Sequence, residues 1–175
     1  MPGVRVRPAR PDDAAAITGV HVRAWRAGYR GLLPDEVLDG LDPAERLPRW
    51  RSTLTAASWP RQGTLVVTPD DGSIAGFADL SPVRDEDRDP RLVGEVRSFY
   101  VAPEAWRHGC GRALMRGSVH ALARCYRSAV LWVLDTNSRA QHFYAATGWR
   151  PDGTARHERI AGVEVGELRY AHDLG

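Results

Sequence analysis

An α/β domain with a mixed sheet is the fold class this sequence predicts, on three observations. The β-branched and aromatic run 96–101 is followed by a helical pattern and a second apolar run, 130–134, so the middle of the chain reads as a βαβ unit with parallel strands. Two more strand-like runs, 64–68 and 74–80, flank Asp70-Asp71-Gly72, a hairpin turn, so part of the sheet is antiparallel. The 175 residues, 43% hydrophobic, suffice for one domain with a sizeable core, and no linker or repeat divides 1–175.

Taken in order, residues 4–7 read as a first strand. Asp12 and Asp13, after Pro11, start a helix that carries Ile17, Val20, His21, Ala24 and Trp25 on one side, and residues 31–34 break it. Residues 34–41 and 43–54 are two further helical pieces, each opening on proline. After the hairpin, a charged loop at 84–90 leads to the central strand, which ends at Pro103 because a strand interior cannot accept proline. Met115, Val119, Leu122 and Tyr126 have the spacing of one buried helix face, so a helix begins near Gly109 or Gly111. Past the apolar strand, Ser138 and Gln141 have capping-box spacing and Gly148 suits a left-handed stop, which bounds a helix of about ten residues. Segments around 155–160 and 164–172, either side of Gly162, close the chain as an antiparallel pair.

Composition excludes several classes. The net charge is +2 with a pI near 8.8, and all 24 basic residues are arginines spread along the chain, which gives no footprint for nucleic acid. Cys110 and Cys125 lack Cys-x-x-Cys spacing, and His108 and Cys110 have no further ligands near them, so neither a disulfide framework nor a metal site is expected. The longest apolar run, 129–134, is too short to span a bilayer, and no apolar leader precedes Asp12; a soluble, cytoplasmic protein is expected.

The chemistry concentrates at the turn before the second helix. Helix-opening N–H groups have no intrahelical partners, and Gly109 and Gly111 allow close approach of an anion, with Arg107, His108 and Arg112 around it. The arrangement reads as a pyrophosphate cradle, against the alternative of an ordinary glycine turn. Gly111-Arg112-Ala113 is not the Gly-Lys-Ser/Thr of an ATP or GTP loop, and Leu114 stands where a dinucleotide fingerprint needs its third glycine. No Gly-x-Ser-x-Gly elbow of a hydrolase is present.

The segments Tyr-Val-x-Pro-(x)5-Gly-x-Gly-Arg-Ala-Leu, from Tyr100, and Asn-x-x-Ala-x-x-Phe-Tyr-x-x-x-Gly-Trp, from Asn137, together resemble the GCN5-related N-acetyltransferases over about residues 93 to 150. The resemblance implies a mostly antiparallel central sheet with one splayed parallel strand pair and flanking helices, and acetyl-CoA as cosubstrate. It places Arg107, His108, Gly109, Cys110, Gly111, Arg112 and Ala113 at the pyrophosphate. Phe99, Tyr100 and Val101 fall on the strand beside the pantetheine arm, Asn137 near that arm, and Tyr144 near the sulfur. Trp106 departs from the Gln or Arg usual in the family.

Direct attack of an amine on a thioester, through a tetrahedral intermediate, needs a base for the ammonium, whose pKa is about 10. Glu95, just upstream on the cofactor strand, is the candidate; the alternative is a solvated carboxylate paired with Arg97. A backbone N–H near Phe99 to Val101 suits the oxyanion, and Tyr144 has a phenolic proton for the leaving sulfur unless it only packs beside Phe143. Asn137 is equally well read as a helix cap. The resemblance implies that the acceptor enters between the first helical region and the last hairpin, which makes Trp25, Tyr29 and the loop before Glu164 its candidate lining, with Glu95 beside it; the alternative for Trp25 and Tyr29 is ordinary aromatic packing in the core. The acidic run Asp85-Glu86-Asp87-Asp89 could attract a cationic amine or be a solvated loop. The function implied is transfer of acetyl from acetyl-CoA to a primary amine of a small molecule or peptide. The alternative is a non-catalytic acyl-CoA-binding regulatory module, and family habit also allows a homodimer.

Overall fold

The computed structural model describes residues 3–175. Its elements run β1 (Arg5–Pro8), a short 3-10 turn, α1 (Ala14–Gly28), α2 (Asp35–Asp39), α3 (Pro43–Thr55), β2 (Gly63–Thr68), β3 (Gly76–Pro82), β4 (Val93–Val101), α4 (Cys110–Ala123), β5 (Ser128–Leu134), α5 (Ser138–Ala146), β6 (Arg150–Ile160) and β7 (Val163–Asp173). One seven-stranded sheet has the order β1-β2-β3-β4-β5-β7-β6. Among the strands of the described residues, β4 and β5 are the pair that runs parallel, as a βαβ connection through α4 requires.

Apolar side chains on the two faces of the sheet pack two separate layers. On one face Leu65, Ala78, Leu80, Val96, Leu131 and Val133 meet Leu114, Met115 and Leu122 of α4 and Tyr144 of α5. On the other, Val66 and Phe77 meet Ile17 and Val20 of α1 and Trp50 and Leu54 of α3. The alternation of Val66 and Phe77 with Leu65 and Ala78 is the period-2 pattern of strands covered on both sides. Among the described residues, no helix is long and apolar enough to cross a membrane.

One expected detail changes. Ser138 is the first helical residue of α5, not its cap: Asn137 holds the cap position and its side-chain oxygen accepts the Ala140 N–H at 3.1 Å. Asn137 is therefore satisfied as a cap whatever else it does, because its carbonyl meets a backbone donor that the helix leaves orphaned.

The feature that positions the site is a break in strand pairing. Strands β4 and β5 pair only across Val93–Ser128 to Val96–Leu131. On the other edge of β4, Leu80 faces Val96 while Asp79 faces Ser98, so Arg97 is the extra residue of a bulge. A bulge bends its strand, and here the bend coincides with the point where β4 leaves β5. The two strands splay, and the gap between them opens to both faces of the sheet.

Candidate active site

A cavity of 1290 Å³ occupies this gap. Gly111, Arg112, Phe99, Phe143 and Tyr144 line it on the α4 side; His21, Trp25, Tyr29 and Glu95 line it on the α1 side.

Backbone polarity decides what the α4 side can hold. The Ala102 N–H donates to Ala75 O at 2.8 Å, so alternation along β4 turns the polar groups of Tyr100 and Ser98 toward β3 and those of Phe99 and Val101 into the gap. Tyr100, expected beside the cofactor arm, thus presents its backbone to β3 and its ring to the α1 face, stacked on His21 at 5.3 Å. Phe99 and Val101 keep the expected orientation. The Val101 carbonyl already accepts the Trp106 indole N–H at 2.8 Å, which is how this chain uses its unusual residue at 106.

At the turn, Arg107 and Gly109 both have positive φ, 65° and 84°. Helix α4 begins with the Ala113 N–H donating to Gly109 O at 3.0 Å, so the N–H groups of Cys110, Gly111 and Arg112 have no intrahelical partner. Ala113, expected at the phosphates, is corrected by that same bond: its N–H is spent inside the helix. The Cys110 side chain is buried in the core, and only its backbone is available to the site; His108 is not among the cavity-lining residues. A Cβ at Gly111 would lie 3.4 Å from the Phe143 ring, so the wall there is already in contact. Because Gly109 sits at φ 84°, Gly109→Ala is expected to destabilise the fold by about 1 kcal/mol and to weaken anion binding at the turn. Denaturant titration and binding calorimetry check the two effects.

Arg139 was missed by sequence reasoning. Its guanidinium lies 3.6 Å from the centroid of the Trp106 ring and lines the cavity beside Arg107, which adds positive charge where the turn already offers free amides. Burial, then the nearby Arg107, push its pKa down. Its place in the first turn of α5, two residues after the cap, was the available signal.

On the α1 side Glu95 is buried, 2% exposed, and does not pair with Arg97. It accepts Arg84 Nη2 at 2.6 Å through one oxygen, and Arg84 Nε and the Arg84 backbone N–H, each at 3.1 Å, through the other. Arg97 instead lies 3.9 Å from Asp79, whose carboxyl is pushed up by burial. Trp25 and Tyr29 pack edge to face at 5.0 Å, and the Tyr29 hydroxyl is 3.2 Å from that of Tyr100. Burial raises both phenols above their ordinary value, that of Tyr29 well above it. His21 accepts the Trp50 indole N–H on Nδ1 at 3.2 Å, and burial, with Arg46 and Arg49 nearby, lowers its pKa to about 4; it is a neutral wall residue at neutral pH.

The acidic run is neither free nor solvated throughout. Asp85 and Asp87 are held by Arg169 at 2.9 and 2.7 Å, and Asp89 by Arg91 at 2.9 Å. Across the gap Glu167 accepts Arg156 Nε at 2.7 Å. Tyr144 is 9% exposed, lines the cavity, and packs against Phe99 with ring centroids 6.3 Å apart.

The family described as Acetyltransferase (GNAT) family matches residues 25–149. The uncharacterized N-acetyltransferase YuaI of Bacillus subtilis (strain 168) is 32% identical over 94% of this chain and 90% of its own length. Two solved structures share the fold: a GCN5-related N-acetyltransferase from Kribbella flavida, with a TM-score of 0.73 and 26% identity over 97% of each chain, and the PaiA N-acetyltransferase of Thermoplasma acidophilum in complex with coenzyme A. The latter has a TM-score of 0.71 and 15% identity, over 98% of this chain and 99% of that one.

Proposed function

Since the chain belongs to the acetyltransferase (GNAT) family, we propose that it transfers the acetyl group of acetyl-CoA to a primary amine of a small molecule or peptide. The observation that carries this reading is the splayed β4–β5 gap, which joins the free amides before α4 to the carboxylate-bearing α1 face in one cavity. The residues present fit an acyl-CoA. Unpartnered N–H groups at Cys110, Gly111 and Arg112, flanked by Arg107 and Arg139, suit a pyrophosphate. The exposed edge of β4 at Phe99 and Val101 suits an extended amide arm, as a strand edge pairs with any extended amide chain.

Acetyl-CoA, when bound, supplies an activated thioester carbonyl. The N–H of Phe99 or Val101, fixed by the β3–β4 ladder before any reaction, is the donor for the developing oxyanion. Glu95 takes the ammonium proton through a water. Oε2 accepts two bonds and Oε1 one, all from Arg84, so Oε1 keeps a lone pair for the water that relays the proton. Tyr144, on the opposite side of the gap, protonates the departing thiolate. Fold alone does not choose the acceptor.

The test is calorimetric titration with acetyl-CoA followed by release of free CoA thiol across a panel of primary amines. Binding with amine-dependent release is the expected result; binding without release favours a regulatory acyl-CoA module, and no binding removes the reading. Glu95→Gln is expected to lower kcat most at low pH. Its deficit should shrink as the pH approaches about 10, where the amine sheds its own proton. A deficit that does not change with pH counts against the base.

A further inference from the structure

The acceptor half of the cavity carries more positive than negative charge. Its carboxylates are already matched: Glu95 to Arg84 at 2.6 Å, Glu167 to Arg156 at 2.7 Å, and Asp79 to Arg97 at 3.9 Å. Arg46 and Arg49 remain. Both line the cavity from α3, where the spacing of Arg46, Arg49, Trp50 and Thr53 puts them on one helix face toward the gap. Among the described residues neither has a carboxylate partner. The aromatic contact of Arg46 is with the Trp25 ring, 5.9 Å from its centroid. Half-buried Arg46, against the Trp25 ring, sits where the lower dielectric strengthens its attraction for an anion, and Arg49, exposed one turn on, adds a second charge at the mouth.

From this arrangement, and resting on the acetyl-transfer reading above, we infer that the acceptor is an acidic amine: a molecule whose primary amine reaches the gap while its carboxylate, phosphonate or phosphate is held by Arg46 and Arg49. The division of labour is chemical. Arg46 and Arg49 bind a group that never reacts, and the apolar rings between them and the gap seat the connecting carbons. The same positive charge disfavours an ammonium entering that half of the cavity, so a purely cationic amine is repelled where an acidic amine is neutralised. The structure of α3 does not depend on these two side chains: Arg49 is exposed and Arg46 half-buried.

The test uses the full chain and matched probes. Acetyl-CoA binding is measured first by calorimetry. CoA release is then followed with α-amino acids, ω-amino acids of increasing length and 2-aminoethylphosphonate, each against a partner whose acid group is replaced by a methyl or a primary amide. The expected result is a kcat/KM about tenfold or more higher for at least one acid than for its partner. Arg46→Gln and Arg49→Gln should each raise the KM for that acid about fivefold or more, with acetyl-CoA affinity unchanged, and Arg49→Lys should retain most of the preference because the charge remains. If acetyl-CoA binds but no acid is acetylated faster than its partner, or the KM is indifferent to both variants, the acidic acceptor is overturned while the transfer reading stands. Failure to bind acetyl-CoA overturns both.

Discussion

Tyr144→Phe is expected to lower kcat about 100-fold while leaving the acetyl-CoA affinity within roughly twofold, because only the proton of the phenol is lost. The ring keeps its place: it is buried against Phe99, Phe143 and Tyr170, with centroids 6.3, 5.7 and 6.3 Å away. Burial, and after it the neighbouring Tyr100, push the phenol well above its ordinary value, so the proton is retained through the alkaline range. The wild-type rate should therefore show no alkaline fall from Tyr144. Steady-state kinetics with a thiol-reactive dye, paired with calorimetry, measure both quantities. Equal rates for the two proteins would remove Tyr144 from proton transfer and leave it as packing.

Arg169→Met is expected to destabilise the protein by about 3 kcal/mol, a fall of roughly 6–12 °C in Tm. Arg169 is 2% exposed. Its Nε donates to Asp152 at 2.7 Å, Nη1 to Asp85 at 2.9 Å and to Asp87 at 2.7 Å, and Nη2 to Asp87 at 2.7 Å and Thr154 at 3.0 Å. Methionine fills the volume but takes from Asp85 and Asp152, both mostly buried, their shortest contact with a cation, leaving Asp152 with Arg88 at 3.1 Å and Asp85 with Arg156 at 3.8 Å and the Trp132 indole. The cost comes from those under-compensated carboxylates more than from the lost pair. The hydrogen bond from Arg169 holds the Asp87 carboxyl below the usual range. Asp152 also lies low, although burial opposes it, because the Thr154 N–H and Arg169 favour its ionised form. Folded-state pKa values below the unfolded ones add stability above about pH 4 that is lost as the pH falls through the folded values. The difference between variant and wild type should then be largest near neutrality and shrink in acid. Thermal melts from pH 2.5 to 7.5 read this directly; a difference independent of pH would assign the effect to packing alone.

The same network explains why the site was only partly legible. The runs 64–68, 96–101 and 130–134 and the helical face of Met115, Val119 and Leu122 are local periodicities, and each appears in the structure within a few residues of its expected bounds; Tyr126, expected on the same helical face, is buried in the core but lies past the end of α4. The pyrophosphate turn was equally local, since free amides and small residues follow from where a helix starts. Arg169 carries no such signal: in sequence it is one polar residue in an alternating strand, and its partners Asp85 and Asp87 lie 84 and 82 residues earlier. Glu95 was legible as a strand carboxylate facing the site, but not as a buried one, because burial came with Arg84 folding back from the preceding loop.

Local patterns in the chain were enough for the order of elements, the parallel βαβ unit, the glycine turn with its unpartnered amides and the buried faces of α1 and α4. All of these depend on neighbours a few positions apart, where backbone geometry and side-chain period act. Folding in three dimensions was needed to make the Arg97 bulge coincide with the point where β4 parts from β5, to tie the Val101 carbonyl to Trp106, to turn Tyr100 away from the gap, and to leave Arg46 and Arg49, among the described residues, without a carboxylate partner. Those outcomes are set by which strands pair and which charges meet across the sheet, and the free energy of such contacts belongs to pairs of residues far apart in the chain, not to any local pattern.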